Sequence, residues 1–155
     1  MSVETKFTLN DSTIEKVQDL IQVNIDSYDG FKEVADKTDD IAVANLFRRL
    51  ASERSDQASE LQALVAANCE EPEESGSYSA AAHRTLIDIR AALGGGTKVM
   101  LIEAEKGEDQ IKEKYEDALK DEPGTAVSDV LHRHYQAVKA AHDHVRDLRD
   151  SYKDS

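Results

Sequence analysis

Hydrophobic residues recur at intervals of three and four along four stretches of the chain, the spacing that places them on one face of an α-helix. The first helix is predicted to begin near Ser12, which stands at capping-box spacing from Glu15, and to fade near Ala35. The charged run Asp36–Asp40 predicts a turn with an Asp cap, after which a second helix continues to about Asn68. The predicted buried faces of these two helices contain Ile14, Val17, Leu20, Ile21, Ile25, Tyr28 and Phe31, and then Val43, Leu46, Phe47, Leu50, Leu61, Leu64 and Val65.

Two further amphipathic stretches follow in the second half of the chain. The third helix begins at about Thr97, directly after the glycines at 94–96, and the Pro123-Gly124 pair ends it. The fourth helix runs from about Thr125 to Ser151 and has the most regular apolar stripe. Their predicted inner faces contain Met100, Leu101, Ala104, Ile111, Tyr115 and Leu119, and then Val127, Val130, Leu131, His134, Val138, Ala141, His142, Val145 and Leu148.

The connection between the second and third helices is much longer than the other two loops. It contains an acidic linker, Cys69–Ser77, and then a predicted short helix, Ser79–Leu93. The two short loops predict antiparallel hairpins, and the long connection could cross the length of the bundle. The sequence therefore predicts an all-α, ferritin-like four-helix bundle with an extra short helix in the helix 2–helix 3 connection. An ordinary up-down bundle with a decorated loop is the alternative.

Length and composition narrow the class of protein. The 155 residues suit one domain, which we predict at 12–152 after a flexible N-terminus at 1–11. No apolar run approaches the length of a membrane span or of a secretion signal, so we expect a cytoplasmic protein without a membrane partner. The 32 acidic and 19 basic residues give a net charge of -13. Because nucleic-acid binding depends on Lys and Arg that neutralise phosphates, nucleic acid is excluded as a partner.

Polar residues interrupt the apolar stripes near the middle of the helices. If the second and third helices run parallel, these residues form one band at mid-bundle height. A buried carboxylate must be paired, protonated or bound to a metal, and carboxylates combined with imidazoles suit Fe, Mn or Zn. The first hypothesis is therefore a divalent-metal site with one of these ions as cofactor. Its candidate ligands are Glu53, Asp56, Glu105, Glu108, His134 and His142.

The motif of the di-iron bundles is incomplete in this chain. Those proteins use a Glu on each of two helices and a Glu-x-x-His on each of the other two. Here the second helix has Glu53-Arg54-Ser55-Asp56, with Asp in place of His, and the fourth helix has no Glu-x-x-His. This argues against a redox-active di-metal centre. The band could instead be an internal salt-bridge layer, in which Glu53 pairs with Arg54, Arg49 or Arg90.

Short stretches spread over nearly the whole chain after residue 12 carry a resemblance to a known family. They are Asn24-Ile-Asp-Ser-Tyr-Asp-Gly-Phe31, Leu46-Phe-Arg-Arg-Leu-Ala-Ser-Glu-Arg54, Glu60-Leu-Gln-Ala-Leu64, His83-Arg84, Glu105-Lys-Gly-Glu-Asp109, Ala141-His-Asp143 and Leu148-Arg149. With them the chain resembles a bacterial family of short ferritin-like four-helix-bundle proteins without assigned activity. Family members often have Gly-Trp after the His-Arg pair, where this chain has Thr85-Leu86. The resemblance implies the ferritin-like fold and lends mild support to metal binding.

A second hypothesis needs no metal. The sequence contains no complete catalytic motif, so enzymatic activity is not predicted. The alternative is a non-catalytic structural or interaction protein, stress-related and homodimeric. Its polar band would then be the salt-bridge layer. The candidate dimer contact is the apolar side of the predicted short helix, formed by Ala80, Ala81, Ala82, Leu86 and Ile89.

Overall fold

The computed structural model describes residues 4–76, 96–120 and 125–152. These described residues form four α-helices and no strand, which confirms the all-α class. The helices are α1 (Asp11–Lys37), α2 (Ile41–Ala67), α3 (Thr97–Leu119) and α4 (Ser128–Ser151). The short helix predicted at Ser79–Leu93, with its candidate dimer contact, lies outside the described residues. None of the described helices is long and apolar enough to cross a membrane.

Of the N-terminal caps predicted for α1 and α2, the structure contains the one at α2 and lacks the one at α1. The Asp cap of α2 is confirmed, because the Asp40 side chain accepts a hydrogen bond of 3.0 Å from the backbone N–H of Val43. The capping box of α1 is wrong, because the helix begins one residue earlier and Asn10 precedes it without a side-chain cap. The carboxylate of Glu4 instead accepts hydrogen bonds from the Asn10 N–H and the Thr13 hydroxyl.

Side-chain contacts give the direction of each helix. α1 and α2 are antiparallel, because Phe31 stacks near Phe47 while the Leu9 N–H donates to Asn68 at the other end. α3 and α4 are antiparallel as well. Tyr115, late in α3, contacts His134, early in α4, and Glu105, early in α3, contacts Arg149 near the end of α4.

Side-chain contacts between α2 and α4 give the direction of the second hairpin relative to the first. Glu60 contacts His134, and Arg49 contacts His144, so α4 is antiparallel to α2. It follows that α2 and α3 run in the same direction, and that α1 and α4 do so as well.

Two hydrophobic clusters fill the interior, one toward each end. The first includes Phe31, Phe47, Leu50, Met100, Leu101 and Val145. The second includes Leu20, Ile21, Leu61, Ile111, Tyr115 and Leu131. Along each of α1, α2 and α3, the residues between the two clusters include buried polar ones. These buried polar residues, which we call the polar layer, are Asn24, Arg54, Gln57 and Glu108.

The segment at residues 4–10 packs against the end of the bundle beside the second cluster. Leu9 is buried within that cluster, and Lys6 forms an ion pair of 2.7 Å with Asp129 at the start of α4. Glu4 also accepts a hydrogen bond of 2.8 Å from the backbone N–H of Ala126. One short segment therefore contacts both helical hairpins.

Candidate functional site

The centre of the polar layer is an ion pair between α2 and α3. Arg54 Nη2 donates to Glu108 Oε2 at 2.5 Å, and both side chains are fully buried, with 0% exposure. The periodicity of each helix explains the burial, because Arg54 and Glu108 occupy core-facing positions between apolar neighbours. A charge-assisted hydrogen bond of this kind compensates part of the cost of removing both charges from water.

Neighbouring groups fix the guanidinium further. Its central carbon lies 5.5 Å from the centre of the Phe31 ring, a distance suited to a cation–π interaction. Burial raises the pKa of Glu108, and the positive charge of Arg54 opposes that rise. Both His142 and Glu53 also lie close enough for their charges to act on Glu108.

A hydrogen-bonded chain leads from the layer to the surface. Asn24 Nδ2 donates to the Tyr115 hydroxyl at 2.8 Å, and this hydroxyl lies 3.0 Å from His134 Nδ1. His134 Nε2 lies 2.6 Å from Glu60 Oε1, and the Glu60 side chain is 38% exposed. Because the Tyr115 oxygen accepts from Asn24, its own hydrogen is free to be donated to Nδ1 of His134. The chain therefore favours the neutral histidine that carries its proton on Nε2 and donates it to Glu60.

The protonation of this chain follows from its surroundings. Arg133 donates two hydrogen bonds of 2.8 Å to Glu60, which lower the pKa of Glu60 to about 2. Burial lowers the pKa of His134, although the hydrogen bond to Glu60 opposes the shift. Burial also raises the pKa of Tyr115, so its hydroxyl keeps its proton. Near neutral pH the chain thus consists of a carboxylate, a neutral imidazole and a neutral phenol.

A second charged cluster lies on the partly exposed edge between α3 and α4. His142 Nε2 is 2.9 Å from Asp109 Oδ1 and 3.5 Å from Glu105 Oε1, while its Nδ1 is 3.3 Å from Asp143 Oδ1. Arg149 forms an ion pair with Glu105. We call Glu105, Asp109, His142 and Arg149 the edge cluster.

The six predicted ligands are therefore distributed over four places. Glu105 and His142 meet in the edge cluster, and Glu108 lies nearby in the polar layer with Glu53 within electrostatic range. His134 is held in the chain that ends at Glu60, two helical turns before His142. Asp56 is exposed and lines a surface groove between α1 and α2. Within residues 4–76, 96–120 and 125–152, no three His, Cys, Asp or Glu side chains are grouped so that they could hold a metal ion.

The sequence predicts the polar positions and the approach of Glu105 to His142, but it does not predict the partners of Glu108 and His134. Asn24, Glu53 and the two histidines are visible as interruptions of apolar stripes, but the sequence suggests Arg54 as a partner of Glu53 and not of Glu108. Glu60 lies off the apolar stripe of α2, so hydrophobic periodicity does not mark it, although it begins one of the stretches that carry the family resemblance. Its role depends on the antiparallel contact of α2 with α4, which brings Arg133 and His134 to it.

Comparison with known proteins gives one family. The model of a family described as a domain of unknown function (DUF2383) matches residues 12–121, which is more than half of the chain. This range covers α1 from its second residue onward together with α2 and α3, and it includes Asn24, Arg54 and Glu108 of the polar layer. No curated protein matches the chain.

Proposed function

The chain belongs to the family of the domain of unknown function DUF2383, and we propose that it is a ferritin-like four-helix bundle with a non-catalytic structural or interaction role. Its polar layer would serve as an internal salt-bridge layer. The observation that carries this proposal is the fully buried contact between Arg54 and Glu108.

The directions of the helices support the ferritin-like part of the proposal. In ferritin-like bundles one long connection joins the second helix to the third, so that these two helices are parallel. Here α2 ends beside the second hydrophobic cluster, whereas α3 begins beside the first. The up, down, down, up order of the described helices agrees with that connectivity and differs from an up-down-up-down bundle.

The residues of the polar layer do not fit the di-metal centre that such bundles can hold. A di-metal centre needs carboxylates and imidazoles that are free to donate lone pairs to cations. In this chain the guanidinium of Arg54 already neutralises Glu108, and His134 is engaged through both nitrogens by Tyr115 and Glu60. A metal placed beside Arg54 would face a fixed positive charge, which is why the salt-bridge interpretation is preferred.

The proposal is tested by metal content together with stability. Protein purified without an affinity tag is analysed for bound metal before and after addition of Fe(II), Mn(II) or Zn(II). We compare wild type with Arg54→Met/Glu108→Leu, which replaces the pair by apolar side chains of similar size. The expected result is no stoichiometric metal in either protein, with the double variant still folded. Stoichiometric metal that disappears in the double variant would refute the salt-bridge function.

A divalent cation remains a second candidate because of one observation at the edge cluster. The Nε2 of His142 faces carboxylate oxygens of both Asp109 and Glu105, and imidazole and carboxylate are the ligand types that suit Zn, Mn or Fe. These three side chains do not form a preformed metal site among the described residues, so a cation would have to draw them together. In the same titration, metal that is bound by wild type and lost in His142→Ala would support this candidate. The exposed His132 provides the matched control, since His132→Ala should retain any such metal.

We further propose that the protein acts in the cytoplasm as a homodimer. The support is the predicted apolar side of the short helix and the general tendency of helical bundles to associate symmetrically. Light scattering coupled to size exclusion measures the mass directly. A mass of twice 17.2 kDa is expected, and a monomer at all protein concentrations would contradict the dimer.

A further inference from the structure

The polar layer contains buried side-chain atoms whose hydrogen bonds are incomplete. Among the residues that the structure describes, these atoms without a hydrogen-bond partner are Asn24 Oδ1, Arg54 Nε, Arg54 Nη1, Gln57 Oε1 and Glu108 Oε1. All of them belong to the four residues of the layer. An unpaired polar atom in a protein interior costs about 1–3 kcal/mol, so their concentration in one layer calls for a common partner.

The orientation of Asn24 is fixed by its neighbours. Its Nδ2 donates to the Leu20 carbonyl at 2.8 Å as well as to the Tyr115 hydroxyl. A backbone carbonyl can only accept, so the amide nitrogen must face Leu20, and Oδ1 cannot exchange places with it. The unpaired oxygen of Asn24 is therefore a feature of the fold rather than of an amide assignment.

The types of the unpaired atoms determine which ligand could satisfy them. Arg54 supplies the donors, through Nε and Nη1, and Asn24, Gln57 and Glu108 each supply an acceptor oxygen. An anion would bind Arg54 but would meet the Glu108 carboxylate and two amide oxygens. A cation would bind those oxygens but would meet the guanidinium. A neutral molecule that both donates and accepts suits both sets at once.

We propose that the polar layer is a hydration site, in which one or more internal water molecules bridge Arg54 to Asn24, Gln57 and Glu108. Buried waters in proteins make about three hydrogen bonds each to otherwise unpaired polar groups, which the four residues can supply. The water joins α1, α2 and α3 at the level where their apolar contacts are interrupted. Through Asn24 it also joins the chain of Tyr115, His134 and Glu60 that reaches the surface.

The hydration site concerns the same layer as the proposed function but depends on different observations. The salt-bridge function depends on Nη2 of Arg54 and Oε2 of Glu108, whereas the water depends on the other atoms of these side chains. Metal analysis tests the first, and a direct measurement of internal water tests the second. Failure of one therefore leaves the other standing.

Oxygen-17 magnetic relaxation dispersion of the solvent measures long-lived internal water in the dissolved protein. Wild type is compared with Arg54→Met/Glu108→Leu, in which most of the anchoring atoms are removed, and with Gln136→Met at an exposed position of α4. We expect a dispersion from at least one internal water in wild type. The amplitude of the dispersion should fall in the double variant by the contribution of at least one water molecule. It should stay unchanged in Gln136→Met.

Two outcomes would overturn the proposal. A wild type without any long-lived internal water would show that the layer is dry, and an unchanged amplitude in the folded double variant would place the water elsewhere. If the double variant does not fold, a high-resolution crystal structure of wild type replaces it. The expected density is then a water within hydrogen-bond distance of Arg54 Nε or Nη1 and of at least one of the three acceptor oxygens, and its absence would refute the site.

Discussion

Two charged groups lie one turn apart on α3, and they differ in their contact with solvent. Glu108 in the polar layer has 0% exposure and is paired with an equally buried Arg54. In the edge cluster Glu105 is paired with Arg149, and His142 faces Asp109, whose side chain is 53% exposed. Both groups join a carboxylate to a cation across helices. The difference in solvent contact decides what each can contribute.

Water reaches the Asp109 carboxylate of the edge cluster, screens its charge and can replace it as a partner of His142. Exposed ion pairs therefore contribute about 0–1 kcal/mol. Bulk solvent does not reach Arg54 or Glu108 and cannot screen the charge that a lost partner leaves behind, so breaking a buried pair costs about 3–5 kcal/mol. From this difference we expect the layer to constrain how the two hairpins assemble more strongly than the edge cluster does.

The largest effect is expected for Glu108→Leu. The substitution leaves the Arg54 charge buried without its partner, so we expect the free energy of unfolding to fall by about 3–5 kcal/mol. Restoring neutrality with Arg54→Met/Glu108→Leu should recover that loss, because replacing a buried pair by apolar residues is often neutral or stabilising. Urea unfolding followed by circular dichroism measures both variants. A double variant as unstable as the single one would show that the charge imbalance is not the cause.

A smaller loss is expected for Tyr115→Phe. The change removes the hydroxyl that joins Asn24 to His134. Asn24 Nδ2 then loses its acceptor in Tyr115, and His134 Nδ1 loses its hydrogen-bond partner. We expect a loss of about 1–3 kcal/mol, the cost of leaving buried polar atoms unpaired. Tyr135→Phe is the matched control, because its hydroxyl bonds to Glu116 in a less buried position, and its effect should stay within about 0.5 kcal/mol. Equal effects of the two variants would contradict the special role of the chain.

The sequence predicts more of the fold than of the site. Apolar stripes repeat along each helix, so α1 to α4 could be assigned with small errors at their ends. The Asp40 cap is a local feature and was predicted correctly, since its acceptor and its donor are three residues apart. The start of α1 was wrong because Glu4, which lies outside the helix, takes up the Asn10 and Thr13 donors.

The site depends on contacts between residues that are far apart in the chain. That Glu108 is buried follows from the stripe of α3, but its choice of Arg54 over other cations follows from the assembly of the two hairpins, which brings the long side chains of α2 and α3 together in the interior. The residues of the edge cluster behave similarly, since Asp109 is exposed and gives no signal in an apolar stripe. Periodicity thus identifies buried polar positions, and the order in which helices pack selects their partners.

The pH dependence of stability should distinguish the chain at His134 from exposed histidines. The folded pKa of His134 is lowered from its ordinary value of 6.5, so the unfolded chain binds its proton first. The stability contributed by the neutral ring is complete above pH 6.5 and is lost as the pH falls through the folded pKa. For Glu60 the folded pKa of about 2 lies below the ordinary 4.5, so its contribution is complete above 4.5 and is lost toward pH 2.

Urea midpoints measured between pH 7 and pH 3 test this order. Wild type should lose stability below pH 6.5, and His134→Gln should flatten the profile in the upper part of that range. His132→Gln, at an exposed position on the same helix, should keep the wild-type slope. A profile for His134→Gln that is parallel to wild type throughout would show that His134 does not cause the upper part of the loss.

The smallest effect is expected in the edge cluster. Asp109→Asn keeps the shape of the side chain and removes a charge that faces His142, but solvent reaches this carboxylate. We expect the free energy of unfolding to change by less than about 1 kcal/mol, and added salt to reduce the difference further. A loss as large as that of Glu108→Leu in metal-free buffer would mean that exposure does not separate the two groups. A small loss that becomes large when Zn(II) is present would instead favour a cation at His142, because a ligand that binds only the folded protein adds to its stability.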